Sequence, residues 1–312
     1  MENFLLSLNV IIPIVIELAL GYLMKRVNIL DGNTVDKLNN AVFKVFLPLM
    51  LFYNVYTTEI SEAINAKLLT YALSAVVVFF LLLMLVIPRF VKDNRKRSVL
   101  IQGIFRSNFV LFGMPVVTAL AKDGNLGVTA ILIAFVVPLF NGLAVVCMEY
   151  FRGGKTDLKK IFTGILKNPL IIASTLGVVF ALLGIRLPPV LSQTVADVAK
   201  VATPLSLIVL GASFTFRSVR GYAGYITAGV LGRLVVMPGV LLPIAVLLGF
   251  RNLELVSLLA MFASPPAVSS YVMAQQMEGD ATLAGQLVVI GSVASVFTVF
   301  LWIWGLKSLG LI

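Results

Sequence analysis

Two short stretches hold the groups in this chain that could do chemistry. One is Arg106-Ser107-Asn108-Phe109-Val110-Leu111-Phe112-Gly113-Met114-Pro115, and the other is Ala263-Ser264-Pro265-Pro266-Ala267-Val268-Ser269-Ser270. Each sets proline beside small or polar residues inside a long apolar run. Proline has no backbone N–H and its ring clashes with the carbonyl four residues earlier, so a helix interrupted there leaves amides and carbonyls free. In a bilayer such groups are tolerated only where protein or a watery cavity satisfies them. The chemistry on offer is recognition rather than bond breaking. Asn108, Ser264, Ser269 and Ser270 can donate hydrogen bonds to an anion, with Gly113, Pro115 and Pro265 opening the backbone beside them. A single such kink is commonly a packing feature, but a matched pair in corresponding spans points to a binding site.

Five further groups of polar residues lie in or near apolar runs. Arg233 sits about eleven residues into its run, where a charge costs several kcal/mol unless paired or watered. It either draws anions electrostatically or pairs with a carboxylate such as Glu17 or Glu149. Lys44 is structural or snorkels to an interface. Asn141, beside Pro138, either makes an interhelical hydrogen bond or lines a cavity. Glu17 and Glu149 are the carboxylates placed to carry a coupling proton, and Asn39 and Asn40 fit a helix entry. The rest of the inventory excludes chemistry. There is no histidine, and Cys147 is the only cysteine, which leaves no disulfide framework and no cysteine-based metal site. Neither clustered carboxylates nor a Walker-type phosphate loop occurs, so no protease or ATPase activity, no metal and no cofactor is expected.

The elements that position these residues follow from composition. The chain has 312 residues, 60% hydrophobic and 12% charged, with a mean hydropathy of +1.04. Soluble domains carry about 25% charged residues. One core cannot hide this much apolar surface, so most of it must face lipid, and the fold class is an all-α polytopic membrane protein. A span needs about 20 apolar residues. The pattern predicts ten, near 4–24, 37–56, 68–90, 98–121, 126–150, 168–185, 196–214, 222–249, 253–277 and 282–306. The start of the chain lacks a basic segment and a small-residue cleavage site, so the first run is expected to stay as a span.

Residues 12–51 return at 168–207 without a gap, at the spacing that separates Pro13 from Pro169. Ile16/Ile172, Leu20/Leu176, Gly21/Gly177, Ile29/Ile185, Val42/Val198, Lys44/Lys200, Val45/Val201, Pro48/Pro204, Leu49/Leu205 and Leu51/Leu207 also match. Chance would give about three identities in such a window. The net charge of +10 does not mark a nucleic-acid stripe, because the basic residues fall in short loops. Lys25, Arg26, Lys92, Arg95, Lys96, Arg97, Arg152, Lys155, Lys159, Lys160, Lys167, Arg217 and Arg220 occupy one set of alternate loops. Only Lys67, Lys122, Arg186 and Arg251 occupy the other. The positive-inside rule puts the first set in the cytoplasm and both termini outside a plasma (inner) membrane. Turn signals such as Asp123-Gly124-Asn125 separate adjacent spans. Five spans per half is odd, so the halves 1–151 and 168–312, joined by a cytoplasmic loop at 152–167, run through the bilayer in opposite senses. Such an inverted repeat is typical of secondary transporters.

At this point the chain resembles the auxin efflux carrier family, which includes plant PIN proteins and bacterial organic-acid permeases. Asn108-Phe-Val-Leu-Phe-Gly-Met-Pro115 is similar to that family's fourth-helix Asn-x-x-x-x-Gly-x-Pro. Ala263-Ser-Pro265 with Ala274 resembles its ninth-helix pattern, and Arg233 before Pro238 its eighth-helix arginine and proline. Leu47-Pro48-Leu49, Asn168-Pro169 and Pro204-Leu205 also fit. The resemblance covers essentially the whole chain. It implies ten helices in two inverted five-helix repeats, with spans 1, 2, 6 and 7 as a scaffold and the others as a transport domain in which helices 4 and 9 cross. It also implies a homodimer, an elevator mechanism, and an organic anion whose carboxylate sits near the crossing. The chain departs from the plant branch in lacking a long central hydrophilic loop and in offering serines at the ninth helix. The expectation is a carrier of small organic anions embedded in a lipid bilayer. The competing expectation is a membrane sensor that binds the same ligands without moving them.

Overall fold

A computed structural model describes residues 2–57, 65–121, 127–152, 158–215 and 219–312. Glu62, Lys122, Asp123, Gly124, Asn125, Lys155 and Arg217 lie outside the described residues. The helices are α1 (Glu2–Arg26), α2 (Gly32–Tyr56), α3 (Ala66–Phe90), α4 (Asn94–Phe105), α5 (Phe109–Leu120), α6 (Gly127–Phe151), α7 (Leu158–Lys167), α8 (Pro169–Leu182), α9 (Pro189–Ser213), α10 (Val219–Leu247), α11 (Asn252–Ala263), α12 (Ser269–Gln276) and α13 (Ala281–Ser308). No strand occurs among the described residues. Six helices, α2, α3, α6, α9, α10 and α13, are long and apolar enough to cross a membrane, and α5, α8 and α11 are shorter apolar helices. All-α architecture and integral membrane character follow from these lengths and from the lipid-like exterior. Large apolar side chains such as Leu85, Leu247 and Phe297 stay exposed.

Local signals explain the boundaries. Short polar side chains cap helix starts by accepting otherwise orphaned amides. Asp31 accepts from Thr34 N at 2.7 Å, Asn65 from Leu68 N at 3.1 Å, Asn168 from Leu170 N at 2.9 Å and Asp280 from Leu283 N at 3.0 Å. The Asp31 cap corrects one expectation. Asn39 and Asn40 are not a helix entry, because α2 begins about two turns earlier, and Asn39 is fully buried. The stretch between the halves is helical in part. It contains α7, where Leu158, Ile161, Phe162, Ile165 and Leu166 recur at helical spacing with Lys159, Lys160 and Lys167 between them.

Among the described residues, π-turns lie within α2 at Val42–Phe46 and within α10 at Gly232–Val236, and one opens α5 at Phe109–Gly113. Each ends two residues before a proline, namely Pro48, Pro115 and Pro238. Proline removes the bond to the carbonyl four residues back and crowds that carbonyl, and a widened turn relieves the clash. In α10 the carbonyl released by Pro238 is that of Leu234, and the Trp302 indole donates to it at 2.9 Å.

α1 lies on α9, and α2 lies on both α8 and α9. Glycines set these contacts. A Cβ on Gly21 would collide with the Ile208 carbonyl, one on Gly211 with the Leu18 carbonyl, and one on Gly177 would come within 3.0 Å of the Phe52 carbonyl. Small residues allow this close approach, which is how membrane helices associate without a hydrophobic driving force.

Candidate functional site

The fourth and ninth expected spans are each two helices with an extended interruption, α4/α5 at residues 106–108 and α11/α12 at residues 264–268. The interruption in the first lies at Arg106–Asn108 rather than at Gly113–Pro115, because the π-turn absorbs Pro115. The two interruptions meet. Asn108 N donates to Pro265 O at 2.8 Å, Ala267 N donates to Arg106 O at 3.4 Å, and Ser107 pairs with Pro266 in an antiparallel bridge. The extended backbone of each segment thus satisfies part of the other.

Arg233, on the π-turn of α10, completes that accounting. Its Nε donates to Ser264 O at 2.7 Å, its Nη1 to Ile104 O at 3.2 Å and Phe105 O at 3.1 Å, and its Nη2 to Met261 O at 2.9 Å. These carbonyls close α4 and α11, the negative ends of two helix dipoles. A fully buried cation is therefore balanced without a carboxylate. Arg233 pairs with neither Glu17 nor Glu149 and does not line the cavity described next, so its placement is that of a clamp on both broken helices.

Beside the junction lies a cavity of about 780 Å³ bounded by α1, α2, α5, α6 and α9 and by both interruptions. Its polar wall includes Glu17, Asn54, Arg106, Ser107, Asn108, Asn141, Lys200 and Ser269, and Pro115 also lines it. The remainder is largely apolar. Asn108 is 5% exposed, and its Nδ2 has no hydrogen-bond partner; the Ser107 hydroxyl is likewise buried and unpartnered. Buried donors are nearly always satisfied, and these two face the cavity without a protein partner. Arg106 also faces the cavity. Its Nη2 donates to Asn141 Oδ1 and to Ser269 Oγ at 2.8 Å, and its Nη1 approaches Met273 Sδ at 2.8 Å. Asn141 is fixed in turn by its Nδ2 donating to Val137 O at 2.9 Å, so it both bridges helices and lines the cavity.

Other expected site residues lie elsewhere. Gly113 packs against α11, where an added Cβ would meet Phe109 Cδ2 at 2.7 Å and Ala260 O at 3.2 Å. The Ser264 hydroxyl turns back onto Ala260 O, and Pro265 contributes only its backbone carbonyl to Asn108. The Ser270 hydroxyl is buried and unpartnered, away from the cavity wall. Lys44 is exposed and outside the cavity, whereas its repeat counterpart Lys200 lines it and pairs with Asp197 at 3.0 Å. Glu149 lies at the end of α6, bonded to Arg152, which also binds Glu278 at 2.6 Å. Of the two proposed proton carriers only Glu17 faces the cavity. Sequence reasoning quoted Arg106 within its motif but assigned it no role. The available signal was a basic residue at the start of the interrupted segment, within an apolar run.

Comparison with known proteins adds three findings. The profile of a family described as Membrane transport protein matches residues 6–303. The chain is 24% identical over 308 residues to an uncharacterized transporter of Methanocaldococcus jannaschii, covering 96% of this chain and 99% of the relative. It is also 24% identical over 300 residues to a Rhizobium meliloti protein named for malonate transport, covering 93% of each.

Proposed function

Because the chain belongs to the membrane transport protein family, that of the auxin efflux carriers, we propose that it carries small organic anions across a lipid bilayer by alternating access. The observation that carries this reading is the junction of two interrupted helices beside a cavity in which Asn108 offers an unclaimed amide. An anion's carboxylate bound there would accept from Asn108 and Ser107, while the apolar wall takes its body. The malonate named for one relative makes short carboxylates the first candidates.

In this reading the chain comprises ten spans in two inverted five-helix halves, 1–151 and 168–312, with α4/α5 and α11/α12 as the crossing spans. The packing supports it. Gly21 meets Ile208 and Gly177 meets Phe52, and these are repeat-related contacts, since Gly21 corresponds to Gly177 and Phe52 to Ile208. α1, α2, α8 and α9 would form the scaffold against which the remaining helices slide, and two copies would pair through it. Loop charge puts both termini outside the inner membrane.

The test is flux. Purified protein in proteoliposomes should accumulate or exchange at least one member of a radiolabelled panel of malonate, succinate, acetate and phenylacetate, and Asn108→Ala should weaken that exchange. Absence of flux for every carboxylate, with labelled ligand still bound, would favour a sensor instead.

A further inference from the structure

Arg106 and Arg233 are both buried, at 4% and 0% exposed, and neither touches a carboxylate among the described residues. Their situations nevertheless differ. Arg233 is neutralised by the carbonyl ends of two helices, whereas Arg106 has only an amide oxygen, a hydroxyl and a thioether around it. Such partners orient a guanidinium without balancing its charge, and a buried charge lacking a counter-charge is costly. The other charges on the cavity wall do not supply one. Lys200 is itself a cation, and Glu17 forms no ion pair with Arg106. The bonds that Arg106 does make come from α6 and from the start of α12, so its position depends on both elements beside the junction. Its neighbours in the interruption, Ser107 and Asn108, hold the two unpartnered donors.

We infer that Arg106 is the charged contact of the cargo, and that the transported anion is the counter-ion this guanidinium lacks. The inference rests on the transport reading above and adds to it the residue that selects for charge. A guanidinium is always protonated and binds carboxylates more strongly than a neutral donor does. Asn108 and Ser107 alone would accept a neutral amide nearly as readily as an acid. With Arg106 beside them the site should reject the neutral analogue.

Thermal stabilisation of the purified protein by malonate, succinate, acetate and phenylacetate, with neutral malonamide as control, tests this. At least one carboxylate should stabilise the wild type while malonamide does not. In Arg106→Gln, affinity for the best carboxylate should fall by at least about tenfold, and its preference over malonamide should collapse. Because Arg106 also holds Asn141 and Ser269, a second pair of variants guards against misfolding. Asn141→Asp places a carboxylate against Arg106 from within, so it should fold at least as stably as the wild type and lose carboxylate binding far more than Asn141→Ala. A folded Arg106→Gln that binds within twofold of the wild type overturns the inference and leaves the transport reading standing. So does an Asn141→Asp that fails to fold or binds as Asn141→Ala does. If no carboxylate stabilises the wild type, the inference and the transport reading fall together.

Discussion

Arg233 directs its donors at backbone carbonyls, and Asn108 directs its amide at nothing in the protein. The difference separates stability from binding. Replacing Arg233 by Leu orphans the carbonyls of Ile104, Phe105, Met261 and Ser264 in a dry site, and each lost partner costs about 1–3 kcal/mol. Arg233→Leu should therefore destabilise the protein by at least about 3 kcal/mol, seen as a lowered midpoint in thermal unfolding in detergent. Lys at 233 should rescue only partly, because one ammonium cannot span four acceptors at two helix ends. Asn108→Ala should behave oppositely. A charge-assisted hydrogen bond contributes about 1.5–3 kcal/mol, so carboxylate binding should weaken by roughly tenfold or more. The unfolding midpoint should stay close to that of the wild type, since no protein contact of the side-chain nitrogen is lost. Wild-type affinity in a folded Asn108→Ala variant would remove Asn108 from the site.

At the level of helices, close packing between α1 and α9 depends on residues without side chains. Gly21→Ala and Gly211→Ala would each drive a methyl group into a backbone carbonyl on the facing helix, where nothing can rotate away. Overpacking of this kind costs about 1–3 kcal/mol. Gly224→Ala on α10, which faces open space, should be neutral or slightly stabilising. Equal unfolding midpoints for all three variants would discount the close contact. The same contacts mark what the sequence could disclose. The repeat made Gly21 and Gly177 visible as a pair, and apolar run length located the six long apolar helices, because lipid burial imposes a length that side-chain identity records. Other features were not readable. Pro13, Pro88, Pro138 and Pro204 sit inside helices without a π-turn, so proline alone does not locate one. Pro115 drew attention to the wrong turn for that reason, and the interruption falls at Arg106–Asn108. Arg233 was visible as a buried charge, but its four carbonyl partners come from two distant segments and emerge only once α4 and α11 converge. Arg106 was hidden by the opposite problem. Nothing in a linear sequence shows that an arginine lacks a carboxylate until every neighbouring element is in place.

Across the whole molecule, the cavity reaches Asn54 near the end of α2 but not Asp36 near its start, where Gln275 of α12 donates to the Asp36 carboxylate at 2.7 Å. If loop charge sets the orientation, the Asn54 end of α2 and Arg186 are external, so a cysteine at Asn54 or Arg186 in a Cys147→Ala background should react with an impermeant thiol reagent on intact cells, while one at Arg95 should not. Equal labelling at all three would reject the orientation. Driving force follows from the same geometry. An inside-negative potential pushes an anion outward by about 2.3 kcal/mol per charge per 100 mV, so export needs no partner ion and uptake needs a compensating cation. A sodium site calls for several oxygens with carboxylate help, yet neither Arg106–Pro115 nor Ala263–Ser270 contains Asp or Glu. Glu17 is the one carboxylate on the cavity wall among the described residues. A proton on Glu17 would remove its repulsion of the cargo and travel with it. Proteoliposomes in which potential, pH gradient and sodium gradient are set independently should show carboxylate flux that follows the first two and ignores sodium. Glu17→Gln should abolish the response to the pH gradient while leaving carboxylate exchange intact. Flux that requires sodium, or a Glu17→Gln protein still driven by the pH gradient, would move the coupling site away from Glu17.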